Sequence, residues 1–161
     1  MMTELMIRDA TGGYLPATPE VVLAAARKLR ESSWQPSWQF TDPWKVRDFL
    51  DMRLAERERE VFCVLFLDIR NHLLAFDEMF QGTLDATAVY PREVVKAALA
   101  HNAGAVIFAH NHPSGDVTPS EADRRITRTL VEALGLIDCR VLDHFIVGGQ
   151  PTYSFAEHGL L

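Results

Sequence analysis

The stretch AVIFAHNHPSGDVTPSEAD, residues 105–123, decides how the rest of the chain is read. Its opening, AVIFA, is short, apolar and bounded by turn residues, which marks a buried strand. His110 and His112 stand at i and i+2 at the end of that strand. Side chains alternate along a strand, so both imidazoles leave the same face and can converge on one ion. Pro113, Ser114 and Gly115 turn the chain away. Thr118-Pro119-Ser120-Glu121 reads as a capping box with proline at the first helical position. It opens a helix from Pro119 to Leu134, stopped by Gly135, on which Ser120 and Asp123 share a face.

Upstream, Pro91-Arg92-Glu93 opens a helix through about His101, ended by residues 102–104. Before it, VFCVLFLD, a turn at Arg70-Asn71 and LLAFDEMFQG read as a hairpin. Downstream, Arg140 to Val147 and Thr152 to Phe155 read as strands around Gly148-Gly149. The first fifty-odd residues read as a helical preface. Thr18 caps a helix with Pro19 at its first position, and Ala-rich residues 21–30 continue it to a break at 32–37. A second start at Asp42-Pro43 puts Val46, Leu50 and Leu54 on one apolar face before a solvated charged run at 56–59. Two helices followed by ββαβαββ make a compact α/β sandwich rather than a repeat protein.

With 48% hydrophobic and 24% charged residues, the 161-residue chain has the composition of one soluble globular domain, not of a disordered, collagenous or coiled-coil protein. Folding should remove roughly 18,000 Å² from water, so the core needs no disulfide staple and a metal can serve chemistry instead. Cys63 and Cys139 each lie inside an apolar run and read as small core residues. Sixteen basic against twenty-two acidic side chains give a formal charge of -6. Residues 1–59 carry nine of each and residues 60–161 carry seven basic and thirteen acidic, so the whole deficit belongs to the second part. That sign offers no footprint for a phosphate backbone, so direct nucleic-acid binding is not expected and a cationic cofactor is the natural complement. No apolar run approaches the roughly 18–20 residues of a membrane span. Met1–Ala10 holds Glu4, Arg8 and Asp9 where a signal peptide is apolar, so a cytoplasmic protein is expected.

Three ligands of His, His and Asp type leave the fourth tetrahedral position of Zn²⁺ for water, the pattern of a catalytic site. Such a water has its pKa lowered toward neutrality, and still needs a base and a donor for the oxyanion that forms on attack at a carbonyl. Ser120, beside the Asp ligand, is the candidate donor. Glu60 is the candidate base because it opens a strand that can lie beside residues 105–110, although Glu58 is close by. Other metal motifs fail on spacing. The string His110-Asn111-His112 spells the HNH nuclease name, but that motif draws on dispersed residues in basic surroundings. A metallo-β-lactamase-like site wants Asp where Ser114 stands. Zincins need His at i and i+4, and zinc deaminases a downstream Cys pair.

The pattern His110-x-His112-Pro113-x6-Ser120-x2-Asp123 resembles the JAMM motif of JAB/MPN-type metalloproteases. A wider set resembles the RadC family over about residues 42–161. It comprises Glu60-Val61-Phe62, Gly82-Thr83, Pro91-Arg92-Glu93, HNHPSGD, PS-x-x-D, Asp143-His144 and Ser154-x-x-Glu157-x-Gly159. The resemblance implies an α/β (α+β) three-layer sandwich of JAB/MPN, cytidine deaminase-like type, with a mixed sheet flanked by helices. Residues 1–41 would be an N-terminal helical extension and 42–161 the RadC-like domain. It implies one Zn²⁺ per chain on His110, His112 and Asp123, Glu60 as the base that activates water, and Ser120 as the oxyanion partner. The implied activity is a JAMM-type hydrolase, a metallopeptidase or isopeptidase acting on a protein or peptide substrate. The alternative is a DNA-repair-associated or scaffolding module without peptidase turnover. Full-length RadC proteins generally carry an N-terminal helix-hairpin-helix region. Its Gly-rich hairpins are not found in residues 1–50, so a short form is expected and the DNA-repair label draws no support.

His144, beside Asp143, reads either as a support to the site or, in preference, as a core hydrogen-bonding residue. His72, His101 and His158 read as surface residues without chemistry. Trp34, Trp38 and Trp44 read as cover for a core edge, or else as a surface for self-association into a homo-oligomer.

Overall fold

The structure, a computed structural model, describes residues 6–8, 12–32, 38–82, 88–148 and 152–161, and of residues 29–32 only the backbone. The chain forms two compact units, Met1–Gln35 and Pro36–Leu161. In the first, β1 (Met6–Arg8) pairs antiparallel with β2 (Tyr14–Pro16), and Gly12 lies just before β2 at φ 90°, a conformation that suits glycine. α1 (Pro19–Ser32) starts where Thr18 places it, with the Val21 N–H donating to Thr18 Oγ1 at 3.5 Å. The preface is therefore not wholly helical. Its hairpin strands are three residues each, too short to show an alternating pattern.

The second unit runs α2 (Pro43–Leu54), β3 (Val61–Leu67), β4 (Leu73–Gln81), α3 (Pro91–Ala100), β5 (Ala105–Asn111), α4 (Glu121–Gly135), β6 (Arg140–Val147) and β7 (Tyr153–Ser154). Asp42 caps α2 by accepting the Trp44 N–H at 2.9 Å. The β3–β4 hairpin turns through Asn71 at φ 63°, with Asp68 Oδ1 accepting the Arg70 and His72 N–H groups. The strands order as β4-β3-β5-β6-β7. β5 and β6 are parallel and every other pair is antiparallel, which makes a mixed sheet.

β3 and β5 are buried along their whole length because helices cover both faces of the sheet. On one face Phe62, Val64 and Phe66 of β3 and Val106 and Phe108 of β5 share a core with Val94 and Ala98 of α3 and Leu130 and Leu134 of α4. On the other, Phe49 of α2 meets the rings of Phe40 and Phe76 at 5.5 and 5.4 Å. This is the expected three-layer α+β sandwich, and it explains why β3 and β5 read as continuous apolar runs rather than alternating ones. Cys63 and Cys139 are both buried in it.

Two boundaries move from where the sequence suggested them. β5 continues two residues past AVIFA, taking His110 and Asn111 into the ladder, where His110 pairs with Phe62 on one side and Ile146 on the other. α4 begins at Glu121 with Ser120 as its N-cap, so the Thr118 box is displaced by two residues. Trp38 packs against Phe40 and Phe49, whereas Trp44 is 69% exposed beneath the Arg47 guanidinium; Trp34 lies outside the described residues. Among the described residues, no helix is long and apolar enough to cross a membrane.

Leu130 is fully buried between α4 and the sheet, and Leu136, just past the helix, is 87% exposed. Leu130→Ala should cost about 2–5 kcal/mol in urea denaturation, and Leu136→Ser should stay within about 0.5 kcal/mol.

Candidate metal centre

The carboxyl end of β5 is where the chain leaves the sheet to cross over through α4 to β6, the position at which open α/β sheets gather their ligands. The His112 N–H donates to the Val147 carbonyl at 2.9 Å, so the ladder continues one step past β5 and the alternation still holds at His112. As a result His110 and His112 emerge on one face with their Nε2 atoms 3.0 Å apart. The turn that follows is closed by the Gly115 N–H donating to the His112 carbonyl at 3.0 Å, with Gly115 at φ 83°. A Cβ on neighbouring Gly148 would lie 2.7 Å from the Gly115 carbonyl oxygen, so the end of β6 and this turn need glycine to approach so closely.

The turn delivers α4 with its first residues facing the histidines. Asp123 Oδ1 is 3.5 Å from His110 Nε2, and Oδ2 is 3.9 Å from His112 Nε2. Ser120 and Asp123 cap the helix reciprocally. The Asp123 N–H donates to Ser120 Oγ at 3.1 Å, and the Ser120 N–H and hydroxyl donate to Asp123 Oδ2 at 2.8 and 2.6 Å. Ligand atoms of His110, His112 and Asp123 all fall within 4.8 Å of one another. Tetrahedral zinc with bonds of about 2.1 Å would space its ligands about 3.4 Å apart, which this donor set matches.

The ring tautomer of His112 follows from its other partner. Nδ1 lies 2.5 Å from the Asp116 carbonyl, an acceptor only, so Nδ1 carries a proton and Nε2 is the nitrogen left to face the site. His110 is buried, and burial, outweighing attraction to Asp123, pushes its pKa down to about 4, so this ring is neutral at pH 7. Behind it, His110 Nδ1 meets His144 Nε2 at 2.8 Å, and His144 Nδ1 meets Thr127 Oγ1 at 2.7 Å. Burial also lowers the pKa of His144 well below the ordinary imidazole value. Its neighbour Asp143 is raised by burial, against hydrogen bonds from the Ser154 hydroxyl and the N–H groups of Ala156 and His144.

Glu60 directly precedes β3 and is half-buried, whereas Glu58 is exposed. Its carbonyl accepts the Gly82 N–H at 2.9 Å. Phe62 pairs with His110 across β3 and β5, and Glu60 stands two residues before Phe62, just ahead of β3. Sequence reasoning missed two supports. Asn111, between the two histidines, points to the opposite side. Its Oδ1 accepts the Val61 N–H at 2.9 Å, and its Nδ2 donates to the carbonyls of Arg57 and Arg59 at 3.2 and 3.0 Å. Thr127 is a buried hydroxyl on the apolar face of α4, and that polar interruption of the Leu130–Leu134 stripe was the available signal. The remaining histidines have local partners: His72 with Asp68 at 2.9 Å, His101 with Asp77 at 2.8 Å, and His158 stacked on Tyr153 at 4.0 Å.

A family model for the RadC-like JAB domain matches residues 40–160. The chain is 56% identical over 142 residues to a UPF0758 protein of Cellvibrio japonicus, covering 88% of this chain and 63% of that one. It is 63% identical over 123 residues to a UPF0758 protein of Dechloromonas aromatica, covering 76% and 54%. With the UPF0758 protein YeeS of Escherichia coli it shares 51% identity over 146 residues, covering 91% and 99%. The chain thus spans 54–63% of the first two relatives and nearly all of the third.

Asn111→Ala should leave the Val61 N–H without its acceptor. The expected result is faster hydrogen exchange at Val61 and a stability loss of about 1–3 kcal/mol, read by amide exchange and urea denaturation. Acid should act through the neutral rings. The unfolded chain takes up protons on His110 and His144 as pH falls below the ordinary value of 6.5, while the folded chain holds His110 neutral to about 4. Stability of metal-free protein should therefore be full above pH 6.5 and decline toward pH 4, by at most about 1.4 kcal/mol per pH unit for each ring. Urea midpoints that stay flat from pH 7 to about 5 would contradict this burial.

Proposed function

Because the chain belongs to the RadC-like JAB domain family, we propose that it is a zinc-dependent hydrolase of JAMM type, cleaving amide or isopeptide bonds in a protein or peptide substrate. The observation that carries this reading is the convergence of His110, His112 and Asp123 on one point, at the end of a strand paired with the one that Glu60 precedes. The formal charge of -6 favours a protein or peptide partner over nucleic acid.

His110 and His112 would hold the ion through Nε2, and Asp123 through Oδ1, since Oδ2 is engaged by Ser120. When bound, zinc supplies Lewis acidity that brings the pKa of a water at the open position toward neutrality. The Glu60 carboxylate takes the proton of the attacking water and later passes it to the leaving amine nitrogen. Ser120 steadies the oxyanion of the tetrahedral intermediate. Its oxygen stays anchored by the Asp123 N–H while the hydroxyl hydrogen turns about Cβ–Oγ from Asp123 Oδ2 toward the substrate.

Metal analysis of the purified chain should find zinc near one per chain, and His112→Ala should lose it. Metal undiminished in that variant would overturn the ligand assignment. Glu60→Gln should keep its zinc and lose turnover on a peptide and isopeptide panel by about 10²–10⁴-fold. Full turnover in Glu60→Gln would remove Glu60 as the base. A zinc-loaded wild type inert on the whole panel would favour a scaffolding role.

A further inference from the structure

His144 is a fully buried imidazole that the proposed reaction does not use. It sits on β6 opposite Phe108 of β5, stacked on Phe155 at 4.7 Å and edge-on to Phe62 and Phe108 at 5.6 and 5.8 Å. Asp143 Oδ1 accepts its backbone N–H at 2.7 Å. Packing therefore holds the ring in one plane, with each nitrogen aimed at a single partner. Those partners lead to two different ligand residues.

Each contact in the series holds one proton, and its first member fixes the direction of all the others. The Asp123 carbonyl can only accept, so the single Thr127 hydroxyl proton points to it across 2.6 Å. Thr127 Oγ1 has no second proton to give, and at 2.7 Å from His144 Nδ1 it must accept. The uncharged His144 ring therefore carries its proton on Nδ1 and a lone pair on Nε2. At 2.8 Å from that lone pair, His110 Nδ1 must donate. The remaining nitrogen of His110, Nε2, is then the unprotonated one, and it is the nitrogen that faces His112 and Asp123.

We propose that Thr127 and His144 are positioning residues that order protons along the series Asp123 carbonyl, Thr127 hydroxyl, His144 imidazole and His110 imidazole, so that His110 presents a lone pair to the metal. This rests on the metal reading of the site. A hydroxyl bonded back to the carbonyl four residues earlier usually does little for a helix. Here it starts a series that runs from the backbone of one ligand to the ring of another and joins α4, β6 and β5.

Two-bond ¹⁵N–¹H correlation spectra of metal-free, ¹⁵N-histidine-labelled protein read the tautomers directly. His110 and His144 should both show the Nδ1-protonated tautomer. In Thr127→Val, which keeps the shape and removes the hydroxyl, His144 should shift toward the Nε2-protonated form. Zinc affinity, measured by chelator competition, should then weaken about 10–100-fold. Thr127→Ser should restore both readings. An Nε2-protonated His144 in the wild type would overturn the proposal. So would a Thr127→Val variant with unchanged tautomers and zinc affinity, or a Thr127→Ser variant as weak as Thr127→Val. If the wild type binds no zinc, the hydrolase reading fails, while the metal-free spectra still decide the proton order.

Discussion

Two imidazole nitrogens face each other across 3.0 Å, with a carboxylate oxygen 3.5 Å from one of them, at a point where one ring is wholly buried. The Asp116 carbonyl accepts the Nδ1 proton of His112 and leaves Nε2 facing the site, and burial keeps His110 uncharged. Polar atoms gathered away from water need partners, and one bound cation would satisfy all three side chains at once. The protein sustains the arrangement because each ligand is fastened from behind by something else: His110 by β5 pairing, His112 by the Gly115 turn, and Asp123 by the cap of α4. Much of the second unit can be read as the framework that this convergence requires.

β5 carries most of that burden. One side of its end presents His110 and then His112, while Asn111 between them reaches to the other side and ties down residues 57–61. The segment bearing Glu60 is thus held by the ligand strand itself, through both the ladder to Phe62 and a side-chain amide. The helices contribute differently. α3 and α4 bury the face on which Phe62 and Phe108 lie, and that same layer closes over His144. Hydrophobic packing and ligand orientation therefore share one wall.

The elements with strong local chemistry were legible in the sequence. VFCVLFLD read as a hairpin strand and AVIFA as a buried one, Pro91 and the residues after it had to open a helix, and the i, i+2 histidines had to share a face. The ligand set followed, because strand alternation and helix periodicity are short-range rules. The start of α4 was legible only to within two residues: Thr118 reads as the cap, and the reciprocal bonds of Ser120 with Asp123 set it instead. Thr127 showed in the sequence only as a polar break in the apolar stripe of α4, and its role stayed hidden because His144 reaches it only after β6 docks beside β5. Asn111 was hidden for a similar reason, since its three partners lie 50, 52 and 54 positions upstream.

The proposed ligands and the proposed base differ in how far apart they lie along the chain. His110, His112 and Asp123 belong to one continuous strand–turn–helix, whereas Glu60 joins them only when a loop of about fifty residues closes and β3 pairs with β5. Local contacts form early and long-range ones late, so the three clustered side chains can come together before residue 60 arrives. The same asymmetry applies in reverse. If the sheet opens between β3 and β5, Glu60 departs and His110 loses one of the two strands that fasten it, while the turn and the cap of α4 stay whole. The three-residue cluster and its distant carboxylate are thus separable parts of one small fold.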